Sequence, residues 1–271
     1  MIDVLLTGDN NMFRGMALNI LSILKTTKEP IHFHIMTIEI PWGNTHKLEK
    51  ERFERLYKVV KEKSEESEMS YYDVSDEFIK TFESTPNKNP IYAPASLIRL
   101  LLDKVIDTDY LIYLDCDTMA VSSLEEFKKI DIMDVELAVV KDYMGHRWIK
   151  KDYFNSGVLY VNLKKIKETK LLEKAIGLLK EKKYFFADQT AIYKSLTSKK
   201  FIPYRFNEQR KIKKDTVIKH FNKGIRRFPF YVYNIKQWDV KNVHRYFKIH
   251  IFDDIYKEYD KYFKDIEELN Y

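Results

Sequence analysis

One cysteine, Cys116, stands among 271 residues. No intramolecular disulfide can form, and the side chain itself reads as a small buried hydrophobe. No run of about 18 apolar residues occurs, which excludes a membrane-spanning helix. The opening residues, Met1-Ile2-Asp3-Val4-Leu5-Leu6, lack the basic and long apolar stretches of a signal peptide, so a cytoplasmic protein is expected. Neither a G-x-G-x-x-G dinucleotide fingerprint nor a Walker A loop is present. Internal repeats and low-complexity linkers are also missing. What remains is 45% hydrophobic and 14% aromatic, which excludes a disordered chain. The length suits one large domain or two small ones, and a single α/β domain is the economical reading.

Charge is unevenly spread. The net charge is +6, yet residues 199–250 hold 15 Lys/Arg against 3 Asp/Glu, a balance of +12. The rest of the chain is therefore net acidic. Such a basic stretch calls for phosphates, an anionic membrane surface or nucleic acid, or only for solvent. Between Phe221 and Phe247 eight aromatics are interleaved with its Lys and Arg. That mixture suits a membrane interface, and equally a packed extension whose charges face water.

The hydrophobic pattern predicts strands at Ile2–Thr7 and Ile31–Thr37 with a helix at Met16–Leu24 between them, a strand–helix–strand unit. A charged helix follows from Thr45 to about Ser67, with i,i+4 pairs Glu51/Arg55 and Glu54/Lys58. Further strands are expected at Ser70–Val74, Tyr110–Leu114, Val135–Val140, Gly157–Val161 and Val217–Phe221. Residues 84–94 read as a loop, and Pro94 as the start of a helix carrying Arg99. Ser122-x-x-Glu125 and Ser123-x-x-Glu126 are overlapping capping boxes. Leu163–Lys182 reads as one long amphipathic helix and Asp188–Leu196 as a shorter one.

The chemistry gathers at Asp115-Cys116-Asp117, just after the apolar run Tyr110–Leu114. Side chains at i and i+2 of an extended backbone share a side, so the two carboxylates should emerge together at a strand's carboxyl end. That is where open α/β sheets bind ligands. Paired hard oxygens suit Mg²⁺ or Mn²⁺, which in turn holds a diphosphate. Asp107-Thr108-Asp109, a second Asp-x-Asp, precedes the strand and reads as surface acids.

Several segments read together: Leu6-Thr7-Gly8-Asp9-Asn10, Arg99-Leu100, Tyr113-Leu114-Asp115-Cys116-Asp117, Tyr153-Phe154-Asn155-Ser156-Gly157-Val158-Leu159, Ala187-Asp188-Gln189, and His220-Phe221 followed by Gly224 and Arg226-Arg227-Phe228. In this order they resemble the family 8 retaining glycosyltransferases, the group of bacterial lipopolysaccharide galactosyl- and glucosyltransferases and glycogenin. The resemblance runs from about residue 1 to residue 230.

It implies an α/β fold: a single GT-A type nucleotide-sugar-binding domain, with a Rossmann-like mixed sheet flanked by helices, over residues 1–230. A basic, aromatic helical extension would occupy 231–271. It implies Asp115, Asp117 and His220 as metal ligands, for Mn²⁺ with Mg²⁺ as second candidate. Thr7, Asp9 and Asn10 fall on the uridine-binding segment, with Cys116 counted among the nucleotide positions as the centre of Asp115-Cys116-Asp117. Arg99 and Asn155 would reach the donor, and Lys223 and Arg226 the diphosphate, with Arg227 the alternative to Arg226. Gln189 would lie near the anomeric carbon, Asp188 beside it, and Asp142 on the acceptor side. On local grounds alone, Arg99 reads as a snorkelling charge and Asp188 as a helix N-cap.

The sequence departs from the family at Gly8, where many members have an acid, at Asn11, where many have an aromatic, and at Arg226-Arg227-Phe228, where Lys-Pro-Trp is usual. The implied activity is front-face, retaining transfer of a hexose from UDP-glucose or UDP-galactose to a glycan, lipid-linked or protein-linked acceptor. It would occur in the cytoplasm or peripherally on the inner face of the membrane. Nucleic acid is not an expected partner. A basic nucleic-acid-binding module and a sugar nucleotidyltransferase are the competing readings.

Overall fold

The computed structural model describes residues 1–90, 93–227 and 230–268, with the backbone alone at 226, 227, 230, 231, 267 and 268. In chain order the elements are β1 (Ile2–Thr7), α1 (Phe13–Thr26), β2 (Ile31–Thr37), α2 (Lys50–Lys63), β3 (Glu68–Asp73), α3 (Ser75–Phe82), a 3₁₀ helix Pro94–Leu101, α4 (Leu102–Val105), β4 (Tyr110–Asp115) and β5 (Thr118–Ala120). A 3₁₀ helix Leu124–Lys129 leads to β6 (Leu137–Lys141), α5 (Gly145–Trp148), β7 (Phe154–Asn162), α6 (Leu163–Thr169), α7 (Leu171–Glu181), α8 (Ala187–Ser195) and β8 (Lys199–Phe201). Then come β9 (Ile218–His220), the hairpin β10 (Gly224–Arg227) and β11 (Phe230–Tyr233), the short α9 (Val240–Asn242) and the terminal α10 (Asp253–Glu268).

Seven strands form one sheet in the order β3-β2-β1-β4-β7-β6-β8. β7 runs antiparallel to both its neighbours, and the other adjacent pairs are parallel. β1 and β2 are buried almost throughout and mostly apolar, as strands covered on both faces are, with Asp3, His32 and His34 the polar interruptions before the closing Thr7 and Thr37. The strand order reverses between β1 and β4, where Thr7 pairs with Asp115. This is the topological switch point, where such sheets hold their ligands.

One face of the sheet packs on α1, α2 and α10, through residues such as Met16, Leu56 and Tyr259. The other packs on α3, the Pro94–Leu101 segment, α7 and α8. Tyr259 and Phe263 of α10 are buried against the same core as β1, with Phe263 meeting Phe13 edge to face at 5.5 Å. Of the aromatics in the basic stretch, Phe221 is buried, and Trp238 and Phe247 are partly buried against that core, whereas Tyr246 is exposed. Those of Phe228, Phe230 and Tyr231 lie outside the described side chains.

Four expectations need correction. The long helix 163–182 is two helices, because Lys170 takes a left-handed backbone (φ 55°) between α6 and α7. The charged helix begins at Lys50, not Thr45, since the preceding segment crosses the sheet top and Leu48 N–H donates to Thr37 Oγ1. Arg55 turns from its own helix to α10, donating to the Asp265 carboxylate and the Tyr262 carbonyl. Pro94 opens a 3₁₀ segment that becomes α-helical only at Leu102. Of the two capping boxes, Ser123 does cap its helix, but by accepting from Glu125 N–H and not Glu126, while Ser122 Oγ donates to the Thr216 carbonyl; Asp107 and Asp109 are exposed as expected.

Candidate active site at the switch point

Asp115 is the last residue of β4, and Asp117 falls in the tight turn before β5, so only the first lies on extended backbone. Their carboxylates nevertheless reach one space. β5 pairs antiparallel with β9, setting Thr118 opposite His220, and this register delivers the imidazole to the two acids. His220 Nε2 lies 3.0 Å from Asp117 Oδ1 and 3.9 Å from Asp115 Oδ2. One donor atom from each residue lies within 4.8 Å of the others.

Each carboxylate is half engaged. Asp115 Oδ1 accepts from Arg99 Nη2 (2.7 Å) and from the Tyr113 hydroxyl (2.7 Å), leaving Oδ2 turned to His220. Because Tyr113 donates its only proton to Asp115, the Thr7 hydroxyl 3.0 Å away must donate to Tyr113. Burial pushes the Tyr113 phenol well above its ordinary range, so it stays a donor. Asp117 Oδ2 accepts from Lys236. Burial pushes the Asp117 carboxyl up, but the His220 and Lys236 charges outweigh it and hold the group far below the usual carboxylate range.

A backbone N–H fixes how the imidazole presents itself. Gly157 N–H donates to Asn155 Oδ1 (3.0 Å), which settles the orientation of that amide. Asn155 Nδ2 then donates to Asp142 Oδ2, and Asn207 Nδ2 donates to Asn155 Oδ1 (2.9 Å). Asn207 therefore turns its Oδ1 to His220 Nδ1, 3.0 Å away, and Nδ1 must carry the proton. Nε2 therefore faces Asp117 Oδ1, 3.0 Å away. With Nε2 deprotonated, these two acceptors would call for a cation at their side, so this donor set fits a divalent ion. Two carboxylate oxygens and an imidazole nitrogen suit a first-row divalent metal.

β7 carries the next layer. Its register with β6 shifts between Val139, opposite Leu159, and Val140, opposite Asn155. The residues between bulge toward the site, re-aiming side chains as bulges do. Gly157 is required by close approach: a Cβ would stand 2.2 Å from His220 Cε1 and 2.7 Å from Asp115 Oδ2. Ser156 N–H and Oγ donate to Gln189 Oε1 at 3.0 and 3.3 Å, which leaves the Gln189 NH₂ group free of that contact.

Asp188 lies 3.3 Å from Arg99 Nε, and burial pushes its carboxyl up. It is not the N-cap of α8, a position held by Phe186 without a side-chain bond. Arg99 is buried rather than snorkelling, stacked over the Tyr113 ring and donating to Ser156 O (2.6 Å). It thus ties Asp115, Asp188 and the β7 bulge together.

The β1 loop forms the remaining wall. Asp9 is buried, and its Oδ1 has no hydrogen-bond partner, an acceptor turned toward nothing in the protein. Asn10 exchanges hydrogen bonds with Glu49, and Asn11 donates to Asp9 and Asn44. At Gly8 a Cβ would meet Met12 and Cys116 at 3.0 and 3.3 Å, so a side chain there would need both neighbours to shift slightly. Cys116 is buried with its thiol on the Thr7 carbonyl, away from the acids.

Asp142 is drawn into the Asn155 network and also accepts from Met144 and Gly145 N–H. Lys223 is exposed. The Arg226 side chain lies outside the described residues, as does that of Arg227.

Sequence reasoning missed Tyr113, Ser156, Asn207 and Lys236. The first two stood inside quoted motifs. The last had a signal, since Lys236-Gln237-Trp238 keeps the first and third residues of Lys-Pro-Trp, displaced by the β10–β11 hairpin. Trp238 packs on Gly15, and Gln237 donates to the Cys116 carbonyl, which anchors Lys236 beside Asp117.

Comparison with known proteins agrees with this geometry. The chain is 28% identical over 224 residues to a putative glycosyltransferase of Haemophilus influenzae, covering 76% of this chain and 63% of that one. It is 30% identical over 217 residues to a lipopolysaccharide 1,2-glucosyltransferase of Escherichia coli, covering 73% and 60%. The chain thus spans less than two thirds of the length of these curated relatives. Among solved structures it superposes on the galactosyltransferase LgtC, in complex with donor and acceptor sugar analogs, with a TM-score of 0.64 at 19% identity, covering 81% of this chain and 86% of that one. Glycosyltransferase GlyE of Streptococcus pneumoniae TIGR4 gives a TM-score of 0.64 at 15% identity, covering 96% and 64%. These likenesses establish the GT-A fold. The family model described as glycosyl transferase family 8 matches residues 3–239, and the chain belongs to that family.

Proposed function

We propose that the protein is a retaining hexosyltransferase that moves glucose or galactose from a UDP-sugar to a glycan, lipid-linked or protein-linked acceptor. The observation that carries this reading is the convergence of Asp115 Oδ2, Asp117 Oδ1 and His220 Nε2 at the switch point. When bound there, Mn²⁺ would neutralise charge on the departing diphosphate. Mg²⁺ is the second candidate, because one or two carboxylates together with substrate phosphates and water suit it.

The chain's own residues supply the rest. Lys236, already on Asp117, would add a cation against the diphosphate, with Lys223 and Arg226 on the adjoining hairpin. Thr7, Asp9 and Asn10 would hold the uridine, the unpartnered Asp9 Oδ1 accepting a hydrogen bond from its base. Cys116 shapes that pocket's floor through its contact with Thr7. Arg99, Asn155 and Asp188 would fix the donor sugar. The acceptor would enter past Asp142.

Gln189 is an amide and a poor nucleophile, and its Oε1 is committed to Ser156. Asp188 is held in an ion pair with Arg99, which supports direct displacement over a double displacement through a carboxylate. The acceptor oxygen would bond to the anomeric carbon on the face from which UDP leaves. Its proton would pass to the departing phosphate oxygen.

The family assignment leaves the nucleic-acid and nucleotidyltransferase readings without support. Peripheral membrane contact is proposed from Ile225 and Val232, exposed on the hairpin beside Lys223. Among the described residues no helix is long and apolar enough to cross a membrane. Mn²⁺-dependent turnover of UDP-glucose or UDP-galactose, read as released UDP, tests the proposal. Absence of turnover and of UDP binding with both sugars would overturn it.

A further inference from the structure

At the opposite end of β1 lies a second group of metal-ligating residues. Parallel strands buried on both faces are ordinarily apolar throughout, yet Asp3, His32 and His34 interrupt β1 and β2 on one face. Asp3 pairs in register with His32, and His34 lies two residues further along the same strand. Four residues of strand separate Asp3 from Thr7, about 13 Å. This group is therefore distinct from the site at the switch point. Its side chains are partly open to solvent at Asp3 (23%) and His32 (27%), and His34 is buried.

The donor atoms converge. His34 Nε2 lies 2.8 Å and His32 Nδ1 3.5 Å from the same Asp3 Oδ1. Tetrahedral ligands about 2.0–2.1 Å from zinc stand about 3.3 Å from one another, so these spacings straddle the expected edge.

The outward-facing polar atoms are all held by hydroxyls. Tyr72 lies 3.0 Å from His34 Nδ1, Ser70 2.8 Å from His32 Nε2, and the Thr108 hydroxyl donates to Asp3 Oδ2 at 3.0 Å. In the tautomers where each hydroxyl accepts from the outer imidazole N–H, both inner nitrogens present lone pairs to Asp3. This is the outer bonding that orients histidine and carboxylate ligands. Ser70 and Tyr72 alternate along β3 next to β2, so three adjacent strands build the arrangement.

We infer that Asp3, His32 and His34 form a second metal site, for a borderline-soft divalent cation of the zinc class, with water completing the coordination. Two imidazoles and one carboxylate favour such an ion over Mg²⁺ or Ca²⁺. The site ties the free ends of β1 and β2 together, and it is independent of the transferase reading.

Zinc titration by calorimetry, with Co²⁺ absorption as a second readout, tests this in the Asp115→Asn/Asp117→Asn background, which removes the first site. One equivalent of Zn²⁺ is expected, with a tetrahedral Co²⁺ spectrum. Adding His32→Ala should weaken binding at least tenfold. Asp3→Asn keeps the shape of the carboxyl group and should do the same. A separate group, His244, His250 and Asp253, lies at the start of α10, and His250→Ala there should change nothing. No binding in the background protein overturns the inference. So does binding that survives both His32→Ala and Asp3→Asn, or that is lost on His250→Ala.

Discussion

Asn207 Oδ1 accepts a hydrogen bond from His220 Nδ1 at 3.0 Å, and that single contact turns His220 Nε2 to the acids. Asn207 is fully buried and reaches no other part of the proposed site except Asn155. Replacing it with Leu removes the acceptor while keeping similar bulk. Metal affinity should fall 10–100-fold, the range seen when the outer partner of a ligating histidine is lost. Mn²⁺ titration followed by electron paramagnetic resonance measures this directly. Unchanged affinity would show that the imidazole needs no such partner.

Gly157→Ala places a methyl group where His220 Cε1 and Asp115 Oδ2 now lie. The backbone can accept the residue, but the ligands cannot remain. Loss of divalent binding is expected with a near-native circular dichroism spectrum. Retained Mn²⁺ binding would mean that β7 gives way more readily than close packing allows.

Lys236 should matter more than either arginine of the hairpin. Lys236→Gln is expected to weaken Mn²⁺–UDP binding tenfold or more, about 1.4 kcal/mol. Arg226→Gln should weaken it less. Calorimetry of UDP binding to the two variants ranks them, and a reversed order would return the principal role to the position expected from spacing alone.

Phe263 ties α10 to α1. Truncation to Ala removes a fully buried ring packed edge to face on Phe13. A loss of about 3–5 kcal/mol is expected, read from the urea midpoint at constant slope. A loss below 1 kcal/mol would indicate that α10 frays independently.

Cys116 should be silent toward alkylating reagents in the native protein. Burial pushes its thiol well above the ordinary value, and the Asp115 and Asp117 charges add to the effect. The reactive thiolate is therefore suppressed. Iodoacetamide labelling should appear only as urea unfolds the chain, which makes the single cysteine a probe of global opening. Rapid labelling in buffer would contradict the packing around Gly8 and Thr7.

β1 and β2 were legible to the residue, and β4 to within one, because strands buried on both faces are rich in aliphatic residues, even with Asp3, His32 and His34 set into the first two. β5, β8 and the β10–β11 hairpin were not, being 3–4 residues long. Nothing periodic marks so short a piece. The break at Lys170 was invisible because lysine is a good helix former, and its left-handed backbone closes α6 with its N–H on the Ile166 and Lys167 carbonyls. Within the site, acids flanking one cysteine after an apolar run announced themselves. Asn207 did not: an asparagine in a loop has no pattern, and its role exists only once β9 has brought His220 beside it. Lys236 was hidden by the inserted hairpin, which moved a familiar triplet out of its usual distance.

The pairing of Thr118 with His220 has a kinetic corollary. Two of the proposed ligands flank the entry to one short turn, and the third comes from about a hundred residues away, so the trio assembles only after a long-range closure. A divalent ion that needs all three would bind the finished molecule and ignore the unfolded one, raising the melting temperature in proportion to the logarithm of its concentration. Metal capture at the switch point would then report the completion of folding as faithfully as any spectroscopic label.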